Sequence, residues 1–113
     1  MFFSFILVPG PPSDVKLKVS KPREVLMSWS PPTDLGDGVD AYVVEWYSND
    51  GRERNITLGN IKEYTFTGLV PGQSITAAVR AIPNKYIHDK RGIRGPLSSY
   101  VQIILPSGKE GWF

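Results

Sequence analysis

Few residues in this chain have the types and spacing that chemistry requires. Asp34, Asp37 and Asp40 lie within seven positions of one another, and oxygen-rich clusters of this kind can hold calcium. The same acids sit in "PPTDLGDGVDA", among prolines and glycines. Aspartates in such text bond their own backbone and make turns, so turn-forming, solvated carboxylates are the expectation, with no metal. His88 is the chain's one histidine and stands in a long polar stretch. Ser98, His88 and Asp89 supply the residue types of a nucleophilic triad, but nothing in their spacing supports it. No phosphate loop and no HExxH occurs. The chain has no cysteine, which removes disulfides, thiolate metal sites and cysteine nucleophiles. The expectation is a chain without catalysis, cofactor or metal.

Two features point to contact instead. The longest connector, "PNKYIHDKRGIRGP", runs from Pro83 to Pro96. It sets Lys85, Lys90, Arg91 and Arg94 against a single acid, Asp89. Together with His88 these residues form a candidate partner-binding loop for an acidic protein patch or a sulphated glycan. The bland alternative is a solvated loop. The second feature is Asn55-Ile56-Thr57, an N-glycosylation sequon.

The chain has 113 residues, enough for one core, and its composition is that of a globular domain, 41% hydrophobic and 21% charged. Its net charge of +2 is too small to imply nucleic acid. The opening "MFFSFILV" is apolar but ends at Pro9-Gly10. A membrane span needs about 20 apolar residues, so the expectation is no membrane insertion by this chain. A secretory signal would want a basic start, a longer apolar core and a cleavage site of small residues. Residues 1–8 read as a ragged end or a short apolar strand lying on the domain. Residues 107–113 read as a polar tail ending in two aromatics, and both ends look like cuts from a longer chain.

The elements that position these features follow a period of two. "DVKLKVS" aligns Val15, Leu17 and Val19, and "EVLMSWS" aligns Val25, Met27 and Trp29. "AYVVEWYS" aligns Tyr42, Val44 and Trp46. "RERNITL" is polar, with Ile56 and Leu58 as its aliphatics, and suits an edge strand that carries the sequon. "EYTFTGL" aligns Tyr64 and Phe66 and leads to Leu69. "SITAAVRAI" sets Ile75, Ala77, Val79 and Ala81 against Thr76, Ala78 and Arg80. "SYVQIIL" aligns Val101, Ile103 and Leu105. Turn residues separate the runs, and no window carries a useful amphipathic helix. Seven short strands with such punctuation predict an antiparallel β-sandwich with Trp29 in its core.

The ordered pieces resemble a fibronectin type III domain over residues 9–106. "PGPPSDVKL" is similar to the family's proline-rich entry, and "VLMSWSPP" to its second strand with the core tryptophan. "VDAYVVEW" resembles the third strand, with Tyr42 at the core tyrosine position. "YTFTGLVPGQSITAAVRA" resembles the fifth strand, corner and sixth strand, and "RGPLSSYVQIIL" the entry to the last.

The resemblance implies an all-β, seven-stranded immunoglobulin-like sandwich. It places the 83–96 loop between strands six and seven, at the same end as Asp34, Asp37 and Asp40, which would partly neutralise it. The family's Arg-Gly-Asp is absent from that loop, and "GPLSSY" stands where the cytokine-receptor branch has Trp-Ser-x-Trp-Ser. One departure concerns the corner, where Ile75 replaces the usual tyrosine. Isoleucine fills space but cannot bond back to the backbone, so a local loss of about 1 kcal/mol is expected, with Leu69 and Pro71-Gly72 holding the corner alone.

The function implied is a non-catalytic interaction or spacer module, monomeric within a tandem array, in an extracellular or cell-surface adhesion or receptor-type protein. Alternatives are an intracellular sandwich of a giant muscle or cytoskeletal protein, or an accessory domain of a secreted enzyme.

Overall fold

Alternation along the chain is converted into two facing sheets. The computed structural model describes residues 7–84 and 92–107. Seven strands follow in order: β1 (Ser13–Lys21), β2 (Glu24–Ser30), β3 (Val39–Tyr47), β4 (Arg54–Leu58), β5 (Glu63–Phe66), β6 (Ser74–Pro83) and β7 (Val101–Ile104). One sheet has the order β1-β2-β5 and the other β4-β3-β6-β7, and the strand pairs within both are antiparallel. The fold is the expected sandwich, and β4 is an edge strand. Among the described residues no helix is long and apolar enough to cross a membrane.

The core forms where the inner faces meet. Val25, Met27 and Trp29 of β2 face Tyr42 and Val44 of β3 and Ile75, Ala77, Val79 and Ala81 of β6, and all are buried. Aromatic rings tie the sheets together. Trp29 meets Tyr42 edge-on at 5.6 Å, and Trp46 meets Phe66 at 5.0 Å, offset geometries that the ring quadrupoles favour. Burial pushes the Tyr42 phenol above its ordinary pKa.

Strand β6 departs from a simple in-out strand. Thr76 and Ala78 lie on its outer side as the alternation requires, yet both are buried, as is Ile82. From Gly95 onward the chain runs beside β6: Gly95 N–H donates to Ala81 O at 2.8 Å and Ser98 N–H to Val79 O at 2.9 Å. Tyr47 and Tyr100 approach each other to 6.0 Å, and Arg80 Nε lies 2.9 Å from Glu45 Oε2. A central strand with small residues lets neighbouring side chains close over it.

Candidate functional site

The two ends of the sandwich carry the candidate sites, because antiparallel strands deliver loops there. Strand β3 runs from the entry end to the exit end and β6 runs back.

At the entry end, the aspartates hold backbone. Asp34 Oδ1 accepts from Gly36 N–H at 3.1 Å, and Asp37 Oδ2 accepts from Leu7 N–H at 3.0 Å. Asp37 N–H returns a bond to Leu7 O at 2.8 Å, and Gly10 N–H reaches Asp34 O at 2.8 Å. Asp40 is exposed. Gly36 has φ 52° and lies against the Leu7 carbonyl, where a Cβ would collide, so only glycine suits this approach. Among the described residues no group of three or more His, Cys, Asp or Glu could hold a metal ion.

The basic loop leaves from this same end. Asn84 Nδ2–H donates to Asp37 O at 3.0 Å, and Asn84 N–H to Gly38 O at 3.2 Å. Lys85, His88, Lys90 and Arg91 lie outside the described residues. Arg94 is described, and its Nη1 donates to Ile93 O at 2.8 Å. Ser98, from the triad considered above, is buried. Its hydroxyl oxygen accepts from Val79 N–H at 3.0 Å and donates to Ser99 O at 3.1 Å. Those bonds make Ser98 a structural residue, while His88 and Asp89 lie outside the described residues.

On the flank, Asn55 and Thr57 are both exposed and point to the outer side of edge strand β4, opposite Glu45 and Val43. The sequon is therefore open to solvent along its whole polar side.

At the exit end lies a site that strand patterning did not reveal. A cleft of about 490 Å³ is lined by Trp46, Asp50, Arg54, Val70 and Gln73, among others. Register places Arg54 of β4 opposite Trp46 of β3, and the guanidinium carbon sits 4.9 Å from the indole centroid. Asp50 grips the same guanidinium with both oxygens, Nη2 to Oδ2 at 2.6 Å and Nη1 to Oδ1 at 3.3 Å. The bond from Arg54, with a second from Arg52 N–H, holds the Asp50 carboxyl below its ordinary pKa, and the bond to Asp50 raises the pKa of Arg54. The i,i+4 spacing was visible in sequence, but its meaning depended on the turn bringing both ends together.

The corner beside this cleft differs from expectation. Ile75 is fully buried, as expected for a space-filling residue. A polar tie exists nonetheless, built from other side chains. Gln73 Oε1 accepts from Val70 N–H at 3.0 Å, and Gln73 Nε2 donates to Ser48 Oγ at 3.0 Å. Ser48 Oγ donates to Ser74 O at 2.6 Å, while Asn49 Oδ1 accepts from Ser74 N–H at 2.8 Å. The end of β7 joins in, with Gly72 N–H to Leu105 O at 3.0 Å and Leu105 N–H to Gln73 O at 2.9 Å. The corner is thus fastened to the β3–β4 turn and to the exit strand.

Two antiparallel sheets, an interlocked aromatic core and loops gathered at opposite ends define an immunoglobulin-like sandwich module. The model of the fibronectin type III domain matches residues 10–92, and the chain belongs to that family. Oncosphere antigen A of Hydatigena taeniaeformis is 23% identical over 95 residues, covering 84% of this chain and 30% of that protein. The chain thus spans less than a third of that relative's length. Among solved structures, the FN1–FN3 domains of chicken CNTN1 superpose with a TM-score of 0.71 at 20% identity, covering 90% of this chain and 33% of theirs. The FN5 domain of Drosophila Lar gives 0.66 at 24% identity, covering 89% and 100%. Titin kinase and its flanking domains give 0.70 at 22% identity, covering 92% and 18%. At such identities the structures establish the fold.

Proposed function

We propose that the chain serves as a non-catalytic interaction and spacer module of a multidomain cell-surface protein. The observation that carries this is where the chain enters β1 and where it leaves β7. Leu7 and Gly10 are pinned to the Asp34–Asp37 loop at one end, and Leu105 to Gly72 and Gln73 at the other. A chain that enters at one pole and leaves at the opposite one lengthens any array into which it is inserted. The nine residues of β3 set a span of about 30 Å. Small-angle scattering of a chain carrying this domain between its natural neighbours tests the reading. Deleting the domain should shorten the largest dimension by about 30 Å, and an unchanged dimension would refute the spacer role.

The surface setting is supported by the exposed sequon. A glycan on Asn55 would also cover the outer edge of β4, which among the described residues pairs with β3 alone and so offers backbone groups to another strand. Contact with an acidic protein patch or sulphated glycan is assigned to the basic loop, with Arg94 at its described margin. Retention on heparin beyond about 0.15 M salt supports the glycan partner, and elution at or below it removes that partner.

A further inference from the structure

Asp-Gly steps are the chain's most reactive backbone positions, because glycine has no Cβ to keep its amide nitrogen from the preceding carboxyl. The sequence holds two, Asp37-Gly38 and Asp50-Gly51. They are restrained in different ways.

The first is pinned through its peptide groups, and among the described residues its carboxylate accepts a single bond, from Leu7 N–H. Asn84 donates to the carbonyls of both Asp37 and Gly38, and Gly38 N–H is held by Leu35 O at 2.7 Å. Gly38 also packs directly against the Asn84 side chain. The second stands in an open turn. No described residue lies within 4 Å of the position a Cβ would take on Gly51, whose φ is 68°. Gly51 N–H keeps a bond to Ser48 O at 3.0 Å, and the Asp50 side chain is 49% exposed. What restrains Asp50 is its carboxylate. Arg54 holds both oxygens, and Arg52 N–H donates to Oδ1 at 3.0 Å.

We infer that Asp50-Gly51 is a site of spontaneous isoaspartate formation, held in check by the Arg54 fork that grips the Asp50 carboxylate beside Trp46. The step begins when the Gly51 amide nitrogen attacks Asp50 Cγ. A new C–N bond forms, the Cγ–O bond breaks, and the amide proton leaves with the carboxyl OH as water. The product is a five-membered succinimide. Water then adds back at one of two carbonyls. Opening at Cγ restores aspartate, whereas opening at the main-chain carbonyl leaves the backbone running through Cγ. Mass is unchanged, and water is the sole co-reactant.

Arg54 opposes this in two ways. An ionised carboxylate is a poor electrophile because it has no OH to lose, and a two-point grip stops the carboxyl from turning toward Gly51 N. The same contact makes the modification consequential. Isoaspartate lengthens the main chain by one methylene and moves the free carboxylate onto Cα. That geometry cannot keep the bonds to Arg52 N–H and both Arg54 nitrogens. Arg54 then loses its anchor over Trp46, and the wall of the exit-end cleft is remade. This inference does not depend on the spacer reading.

The test is a time course of the purified chain in neutral buffer at body temperature, read by peptide mapping for mass-neutral isomers. Isoaspartate should accumulate at position 50 in the wild type. Arg54→Gln should speed it several-fold with Asp37 unchanged, so that Asp37 reports any general loosening of the fold. Arg54→Lys, which retains charge without the fork, should fall between them. In unsubstituted protein, raised salt screens the exposed pair and should speed Asp50 relative to Asp37. Trp46 fluorescence should shift in step with the isomer. Equal Asp50 rates in wild type and Arg54→Gln, no isomer at position 50 in either, or an unchanged Asp50-to-Asp37 ratio in raised salt would overturn the inference.

Discussion

Replacing Trp29 gives the most demanding test of how the core is built. The indole is 3% exposed and contacts Tyr42 of the facing sheet edge-on. A buried aromatic ring removes about 150–250 Å² from water, worth about 4–6 kcal/mol at about 25 cal/mol per Å². Measured aromatic-to-alanine truncations cost about 3–5 kcal/mol in all, and a core ring with an edge contact, worth about 0.5–1.5 kcal/mol beyond its area, belongs in the upper part of that range. Trp29→Ala should therefore cost about 4–5 kcal/mol. Set against a total margin of about 5–15 kcal/mol, that removes about a quarter to a third of the stability at the upper end of the range and nearly all of it at the lower end.

Trp29→Phe separates packing from polarity. The Trp29 Nε1–H is buried and has no hydrogen-bond partner among the described residues. An unmet buried donor costs about 1–3 kcal/mol. Phenylalanine loses ring volume but sheds that penalty, so the net cost should be about 1–2 kcal/mol. Urea unfolding followed by far-ultraviolet circular dichroism, with linear extrapolation, measures both variants. An alanine variant within about 1 kcal/mol of wild type would refute the core assignment. A phenylalanine variant as damaged as alanine would refute the claim about the indole N–H.

Other outcomes follow from the sites. Gln73→Ala removes two hydrogen bonds at the corner and should cost about 1–2 kcal/mol in the same unfolding assay. Because Arg54 lowers the pKa of the folded Asp50 carboxyl, the stabilisation from this pair is present at neutral pH and fades as pH falls through that depressed value. Carbon-13 carboxyl titration should show a midpoint below the ordinary aspartate range, rising in Arg54→Gln. Tyr42 has a raised pKa in the folded state, so its contribution is complete below pH about 10 and is lost as pH rises through the folded value. Tyr42→Phe should flatten that part of the alkaline stability profile. Protein from a secreting eukaryotic host should carry a glycan on Asn55 that Asn55→Gln abolishes, as seen by intact mass, and unmodified secreted protein would remove the support the sequon lends to a surface setting.

Alternation of apolar and polar residues by itself determined the seven strands, the inward set centred on Trp29, and the edge position of the polar strand that carries Asn55. A strand's side-chain period is two, so local text fixes which side each residue takes. The same text did not reveal that the outer side of β6 is also covered, since Ala78 and Thr76 are buried by neighbours distant in sequence. The missing corner tyrosine was legible at Ile75. Its replacement by Gln73, Ser48 and Asn49 was not, because those bonds join positions about 25 residues apart. Register decided the rest: only when β4 pairs with β3 does Arg54 fall opposite Trp46 and within reach of Asp50. Period is a property of one segment, whereas a site is a meeting of several, and the meeting is fixed by how the sheets pair and turn.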